Sequence, residues 1–171
     1  ILGEDIIHPS SCTTPDIISN QKMLRDMLRH DCQAVALEIS SHALTQDRVK
    51  GISFDVMVFT NLSQDHFDYH KTIEHYKAAK SSLFSEKYAK TGLKAPFPVA
   101  IVNADDESMP SIVKDFPGTT LTYGIENDAE VRASNIMLSS TGTSCDISYG
   151  DEEISFSWSL FGRHNIYNAL T

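Results

Sequence analysis

Basic residues are scarce in this chain: 14 Lys and Arg stand against 23 Asp and Glu, and the formal net charge is −9. A nucleic-acid groove draws its affinity from clustered Lys and Arg, and the sequence holds no such cluster, so that partner class is disfavoured. Cysteine is rare as well. Cys12, Cys32 and Cys145 are odd in number and none stands in a C-x-x-C pair. That argues against a zinc ribbon and a disulfide framework, and it fits a reducing compartment. No apolar run approaches the ~20 residues that cross a bilayer, and no signal-peptide pattern is present, so the expected location is cytoplasmic. The eight glycines include no Gly-x-x-x-x-Gly-Lys-Ser/Thr loop to cradle nucleotide phosphates. If the protein uses ATP, that loop is expected upstream of Ile1. Internal repeats and low-complexity tracts are also missing.

What remains is ordinary globular composition, 41% hydrophobic and 22% charged over 171 residues, enough for one domain with its own core. The first residue is Ile, and Asn165-Ile-Tyr-Asn168-Ala-Leu reads as the opening of a helix, so an internal piece of a longer protein is expected.

The chemistry-bearing residues gather between Ala34 and Lys80. Ala34–Ile39 and Asp55–Thr60 are short apolar runs of the kind buried on both faces of a sheet. The first breaks into Ser40-Ser41-His42, the second into Asn61-Leu-Ser-Gln-Asp65-His66-Phe-Asp68-Tyr-His70. Polar clusters belong there, because sites in open α/β sheets form outside the carboxyl ends of the strands. A helix is expected from Thr72 to about Tyr88, with Ile73, Tyr76, Ala79, Leu83 and Phe84 as its apolar stripe. Lys80 lies on that stripe. It either snorkels to water along its stem or points toward Glu38 and His66 and works there.

Elsewhere, Thr13-Thr14-Pro15-Asp16 predicts a helix start with a Thr N-cap and Pro in the first turn. The helix should bury Ile17, Leu24, Met27 and Leu28 and end near His30. Ala43–Val49 suits a short helix or loop. Val99–Val102 predicts a strand running into Asn103-Ala-Asp105-Asp106, Ser108–Phe116 a short helix, and Thr119–Tyr123 another strand. Alternation of this kind marks a largely parallel sheet. After Asn127 three β-rich segments, 131–138, 144–149 and 154–160, predict an antiparallel meander. The fold class is therefore α/β, a Rossmann-like, mostly parallel sheet with flanking helices and a small appended meander at 128–161.

Individually the motifs leave alternatives open. Glu38 is a solvated carboxylate or a ligand for a divalent cation; Mg²⁺ keeps several waters and needs only one or two protein carboxylates. His66 is a metal ligand or a satisfied loop histidine. Asp65-His66-x-Asp68-x-His70 also suits a metallohydrolase. Gly162-Arg163-His164-Asn165-x-x-Asn168 is a glycine turn before a helix, or a pair of amides able to read a purine edge.

In combination these runs are similar to a known family. Thr13-Thr14-Pro15-Asp16, Glu38-Ile-Ser40-Ser41-His42-Ala-Leu-x-Gln46-x-Arg48-Val49, Phe59-Thr-Asn61-Leu-Ser-x-Asp65-His66-x-Asp68-Tyr-His70 and Tyr76-x-Ala-Ala-Lys80 resemble, in one order, the central domain of the Mur ligases. Asn103-Ala-Asp-Asp106 and Gly162-Arg-His-Asn165-Ile-Tyr-Asn168-Ala follow the same pattern. The resemblance is narrowest to the branch that adds the third residue of the peptidoglycan stem peptide. It implies an ATP- and Mg²⁺-dependent ligase joining meso-diaminopimelate or L-lysine to UDP-N-acetylmuramoyl-L-alanyl-D-glutamate. Residues 1–171 would form part of its central domain, without the P-loop and without the N- and C-terminal domains that it would contact.

Carried over by position, the resemblance makes Glu38 and His66 ligands of Mg²⁺, and Lys80, as a carbamate, a third. Thr13, Thr14, Ser40, Gln46 and Arg48 would contact the UDP-muramoyl dipeptide, and Asn165 and Asn168 would lie near the adenine. Cys12 stands where some members carry an asparagine amide that touches substrate, a contact that a backbone group or bridging water can make instead. Rival readings are another ligase with the same ATP machinery, such as folylpolyglutamate synthetase, and a non-catalytic relative that only binds.

Overall fold

The computed structural model describes residues 12–62, 70–90 and 98–171. Asp65, His66 and Asp68 lie outside the described residues. Asp16, not a threonine, caps α1 (Ile17–Arg29): its carboxylate accepts the N–H groups of Ile18 and Ser19. Aspartate serves a helix N-terminus at least as well as threonine, and Thr14 is engaged elsewhere. The helix stops at His30 as expected. Its apolar stripe is only partly covered, since Ile17 and Leu28 are exposed.

Among the described residues six strands form one sheet in the order of the sequence, β1 (Val56–Phe59), β2 (Val99–Asn103), β3 (Thr119–Gly124), β4 (Val131–Ser139), β5 (Gly142–Tyr149) and β6 (Glu152–Trp158). β1 to β4 run parallel; β4, β5 and β6 run antiparallel. The meander thus continues the parallel sheet, joined through Tyr123 opposite Val131 and Gly124 opposite Arg132. A bulge between Ser134 and Met137 bends β4, with Asn135 in the left-handed region at φ 50°.

Ala34–Ile39, expected as a strand, is not one. The run has no ladder partner among the described residues, and Val35 is exposed on it. An apolar run becomes a strand only when a neighbouring strand satisfies its N–H and C=O groups, and among the described residues β1 pairs with β2 alone.

Further helices among the described residues are α2 (Ser41–Thr45), α3 (Ile73–Ser82), α4 (Met109–Ile112) and α5 (Arg163–Leu170). Thr72 caps α3, accepting the His75 N–H, and the helix buries Tyr76 and Ala79. Two cores result. Met57, Phe59, Ala100 and Val102 pack with Leu44, Leu83, Phe84 and Tyr88; Tyr123, Ala133 and Cys145 pack with Ile166 and Leu170 of α5.

Candidate active site

A cavity of about 820 Å³ opens at the carboxyl end of β1. Thr13, Glu38, Ser40, Arg48, Lys80 and Asn168 all line it, although they come from five separate stretches of chain. Six of the residues singled out from sequence therefore share one space.

The turn that presents Glu38 and Ser40 is fastened from behind. Thr14 is wholly buried, and its hydroxyl donates to the Glu38 carbonyl at 2.9 Å while accepting the Ser40 N–H at 3.0 Å. Ser40 in turn caps α2 by accepting the Ala43 N–H. Arg48 is held edge-on: its Nε and Nη2 donate to Gln46 Oε1 at 2.9 and 2.6 Å, and its Nη1 to the Thr14 carbonyl at 2.8 Å. Guanidinium has five donors, so two N–H bonds remain for an anion in the cavity. Gln46 is not among the lining residues; it orients Arg48.

Lys80 is half-buried against aromatic faces, with Nζ 5.1 Å from the Tyr76 ring centroid and 6.0 Å from that of Phe59. It donates to the Asn61 carbonyl at 3.0 Å. Burial lowers its pKa below the usual lysine range, against the opposing pull of the Asp106 carboxylate. A lysine poised toward its neutral form is what reaction with CO₂ requires. Glu38 is exposed to the cavity and offers hard oxygen donors, which suit Mg²⁺. No group of three His, Cys, Asp or Glu side chains gathers among the described residues, which exclude His66. A carbamate on Lys80 would add the oxygen donors that the amine lacks.

Asn168 faces this cavity from α5, whereas Asn165 does not line it. The Asn165 amide donates to the Phe161 carbonyl and sits 3.1 Å from His164 Nε2. Of the two asparagines, Asn168 is the one placed to meet a ligand.

Sequence reasoning missed a buried pair beneath the site. Ser41 Oγ lies 2.7 Å from His70 Nε2, and the His70 ring stacks on Tyr76 at 5.1 Å. Both residues are 4% exposed. This pair ties the start of α2 to α3, the helices that carry Ser40's turn and Lys80. No periodicity announces a contact across 29 positions; only the two polar residues beside apolar segments hinted at it.

The sequence profile of the Mur ligase middle domain matches residues 1–171. The chain belongs to the Mur ligase family. It is 42% identical over 166 residues to the UDP-N-acetylmuramoyl-L-alanyl-D-glutamate–2,6-diaminopimelate ligase of Bacillus velezensis, a match covering 97% of this chain and 34% of that protein. The enzyme of the same name from Chlamydia pneumoniae is 40% identical over 170 residues, covering 99% of this chain and 34% of its own length. The chain thus spans about a third of the curated relatives it matches. A solved 2,6-diaminopimelate ligase superposes with a TM-score of 0.80 at 29% identity, over 90% of this chain and 31% of that one. A MurF ligase from Thermotoga maritima, solved with ADP, shares the fold at 18% identity and a TM-score of 0.56, over 68% of this chain and 25% of that one. As a Mur ligase middle domain, the chain has the α/β sheet and flanking helices that its sequence led us to expect.

Proposed function

We propose that the protein acts in the cytoplasm as an ATP-dependent ligase that joins 2,6-diaminopimelate to UDP-N-acetylmuramoyl-L-alanyl-D-glutamate in peptidoglycan synthesis. The observation that carries this reading is the convergence of Thr13, Glu38, Ser40, Arg48, Lys80 and Asn168 on one cavity. The names of the similar ligases support diaminopimelate over lysine as the added residue.

In the first step the D-glutamyl carboxylate attacks the γ-phosphorus of ATP, the bond to the β-phosphate oxygen breaks, and ADP leaves an acyl phosphate behind. In the second, the amine of the diamino acid attacks the acyl carbon. Its proton passes to solvent or a nearby base, and inorganic phosphate departs as the amide forms. Both partners of the first step are anions, so placement and charge neutralisation dominate the barrier. One N–H on each terminal nitrogen of Arg48 is left for a carboxylate or phosphate, and Ser40 and Thr13 orient the muramyl chain beside it. Thr14 and Gln46 support these contacts from behind. Asn168 presents a donor and an acceptor to the adenine edge. Glu38, His66 and the Lys80 carbamate would hold Mg²⁺, which supplies charge neutralisation at the transferring phosphoryl group.

The full-length protein, incubated with ATP, Mg²⁺ and UDP-N-acetylmuramoyl-L-alanyl-D-glutamate, should release phosphate only when a diamino acid is added. Meso-diaminopimelate should serve and L-lysine should not. Efficient turnover with lysine would overturn the substrate assignment, and phosphate release with none of these acceptors would overturn the ligase reading.

A further inference from the structure

Two adjacent carboxylates at the carboxyl end of β2 reach in different directions. Asp106 Oδ2 accepts the Leu62 N–H at 2.6 Å and its Oδ1 accepts the Ser108 N–H at 2.8 Å. Nearby, Asn103 Nδ2 donates to the Thr60 carbonyl at 2.9 Å, and Lys80 holds the Asn61 carbonyl. Three consecutive residues at the exit of β1 are therefore each gripped by a different side chain. Two of the grips come from β2 and its continuation, the third from the site lysine itself.

Asp105 points the other way. Its carboxylate accepts the N–H groups of Ile125 and Asn127, each at 2.7 Å, and that of Glu126 at 3.1 Å. It also accepts the Tyr167 hydroxyl at 2.8 Å. Tyr167 is the neighbour of Asn168 on α5, the one residue of that helix that lines the cavity. One carboxylate thus fixes the wall that carries Lys80's partner, and the other fixes the helix that carries Asn168.

We infer that Asp105 and Asp106 are positioning residues that set the two ends of the nucleotide site independently, Asp106 the phosphoryl end through Leu62 and Asp105 the purine end through Tyr167. The inference rests on the ligase reading for its kinetics but not for its structural consequence. Neither carboxylate lines the cavity, so each acts mainly through the backbone or side chain it holds, with Asp106 also adding its charge near Lys80. Because their targets share no atom, their losses should look different.

The test uses the full-length protein and reads steady-state kinetics beside amide exchange by NMR. Asp106→Ala should lower kcat by about 10- to 100-fold, the scale seen when a supporting hydrogen bond behind a site is lost. It should raise the Mg²⁺ concentration needed for half-maximal rate and leave the KM for ATP nearly unchanged. Asp106→Asn keeps one of the two acceptors and should recover part of the rate. Asp105→Asn and Tyr167→Phe should instead raise the KM for ATP by about tenfold, the equivalent of one hydrogen bond to a charged group, with kcat at saturation preserved. In the exchange experiment Asp106→Ala should free the Leu62 amide and spare Ile125 and Asn127, while Asp105→Asn should do the reverse. The same kinetic change in both carboxylate variants, or freed amides with unaltered kinetics in an active enzyme, would overturn the inference. So would a common set of amides freed by both. If the wild-type protein ligates nothing while the exchange pattern splits as stated, the ligase reading fails and the division of the two anchors stands.

Discussion

The Thr14 hydroxyl donates to the carbonyl of Glu38 at 2.9 Å, across 24 positions of sequence. The family resemblance assigns Thr14 to substrate, yet among the described residues its hydroxyl is spent within the protein, because the same oxygen also accepts the Ser40 N–H. The threonine acts here as a pin that fixes where the Glu38 carboxylate and the Ser40 side chain point. Thr14→Val, nearly isosteric, leaves both backbone groups without that partner and should cost about 1–3 kcal/mol in stability. It should also raise the KM for the muramyl nucleotide, whereas Thr14→Ser should behave like wild type. Thermal melts and Michaelis constants on the full-length protein check this; a Thr14→Val enzyme with unchanged KM would remove the pin from the mechanism.

Arg48 carries the next expectation. Three of its N–H donors are spent on Gln46 and the Thr14 carbonyl, which holds the guanidinium plane fixed and leaves two donors for an anion. Lysine offers a flexible point charge and can reproduce neither the anchoring nor the fixed pair of donors. Arg48→Lys should weaken the muramyl substrate by about tenfold or more, in keeping with loss of a charge-assisted bond, and change the KM for ATP far less. Gln46→Ala should move the same constant in the same direction by a smaller factor. Equal effects on both substrates would place Arg48 elsewhere in the reaction.

Much of this arrangement was legible in the sequence where spacing alone decides. Tyr76 and Ala79 bury on α3 as their period demands, with Ile73 and Lys80 half-covered; the helix ends at Ser82, short of the expected Tyr88, and Leu83 and Phe84 bury in the turns beyond it. Ala34–Ile39 was misread for a reason that pattern cannot see. Apolar residues promise burial, but a strand also needs a partner's backbone, and composition does not name the partner. The start of α1 was misplaced by two residues because Thr14 and Asp16 are both good caps, and a tertiary contact to Glu38 chose between them. Ser41–His70 and the opposed reach of Asp105 and Asp106 were invisible for the same cause. Each depends on which loops the sheet brings together.

Asp105 has a consequence at acid pH. Burial alone would raise its pKa, but the N–H groups of Ile125, Asn127 and Glu126 and the Tyr167 hydroxyl outweigh it and hold the carboxyl below the ordinary 3.8. A carboxyl with a depressed folded-state pKa adds stability that is fully present above the unfolded value, and that stability drains away as pH falls through the lower, folded value. Wild-type melting temperature should therefore drop below about pH 4 more steeply than that of Asp105→Asn, whose amide does not titrate. Melting curves from pH 6 to 2.5 read this directly. Parallel curves for the two proteins would show that the bonds to Asp105 contribute nothing to stability. Tyr167, whose pKa is pushed up to about 12 by burial and by its bond to Asp105, keeps its proton throughout that range.

A substitution at Gly118 isolates packing from chemistry. A Cβ there would lie 2.0 Å from the Pro98 carbonyl oxygen, which is backbone and has no rotamer to yield. Gly118→Ala should cost about 1–3 kcal/mol through forced displacement where β2 and β3 begin, far from the cavity. Urea denaturation checks the magnitude, and kcat per folded molecule should not change. A loss of kcat without a loss of stability would contradict the placement of the site at the opposite ends of those strands.

Lys80 gives the most demanding prediction. Its amine is held among the Tyr76 and Phe59 rings, bonded to the Asn61 carbonyl and lowered in pKa by burial, so the unprotonated form is reached more easily than in water. That form adds to CO₂: the nitrogen lone pair forms an N–C bond, one proton is released, and a carbamate anion results. The product exchanges a cation for two oxygens carrying negative charge, the donor type that Mg²⁺ prefers beside Glu38. Lys80→Arg preserves positive charge but cannot form the carbamate, and it should lose about 10²–10³ in kcat, the scale for deleting one preorganised electrostatic contact. Removing CO₂ and bicarbonate should depress wild-type activity reversibly and leave the already impaired Lys80→Arg enzyme unchanged. Because only the neutral amine reacts, restoring bicarbonate should recover activity faster at higher pH. Carbon-13 NMR with labelled bicarbonate reports the adduct itself. A fully active enzyme without a carbamate resonance, or a fully active Lys80→Arg variant, would show that the amine and not its CO₂ adduct serves the reaction.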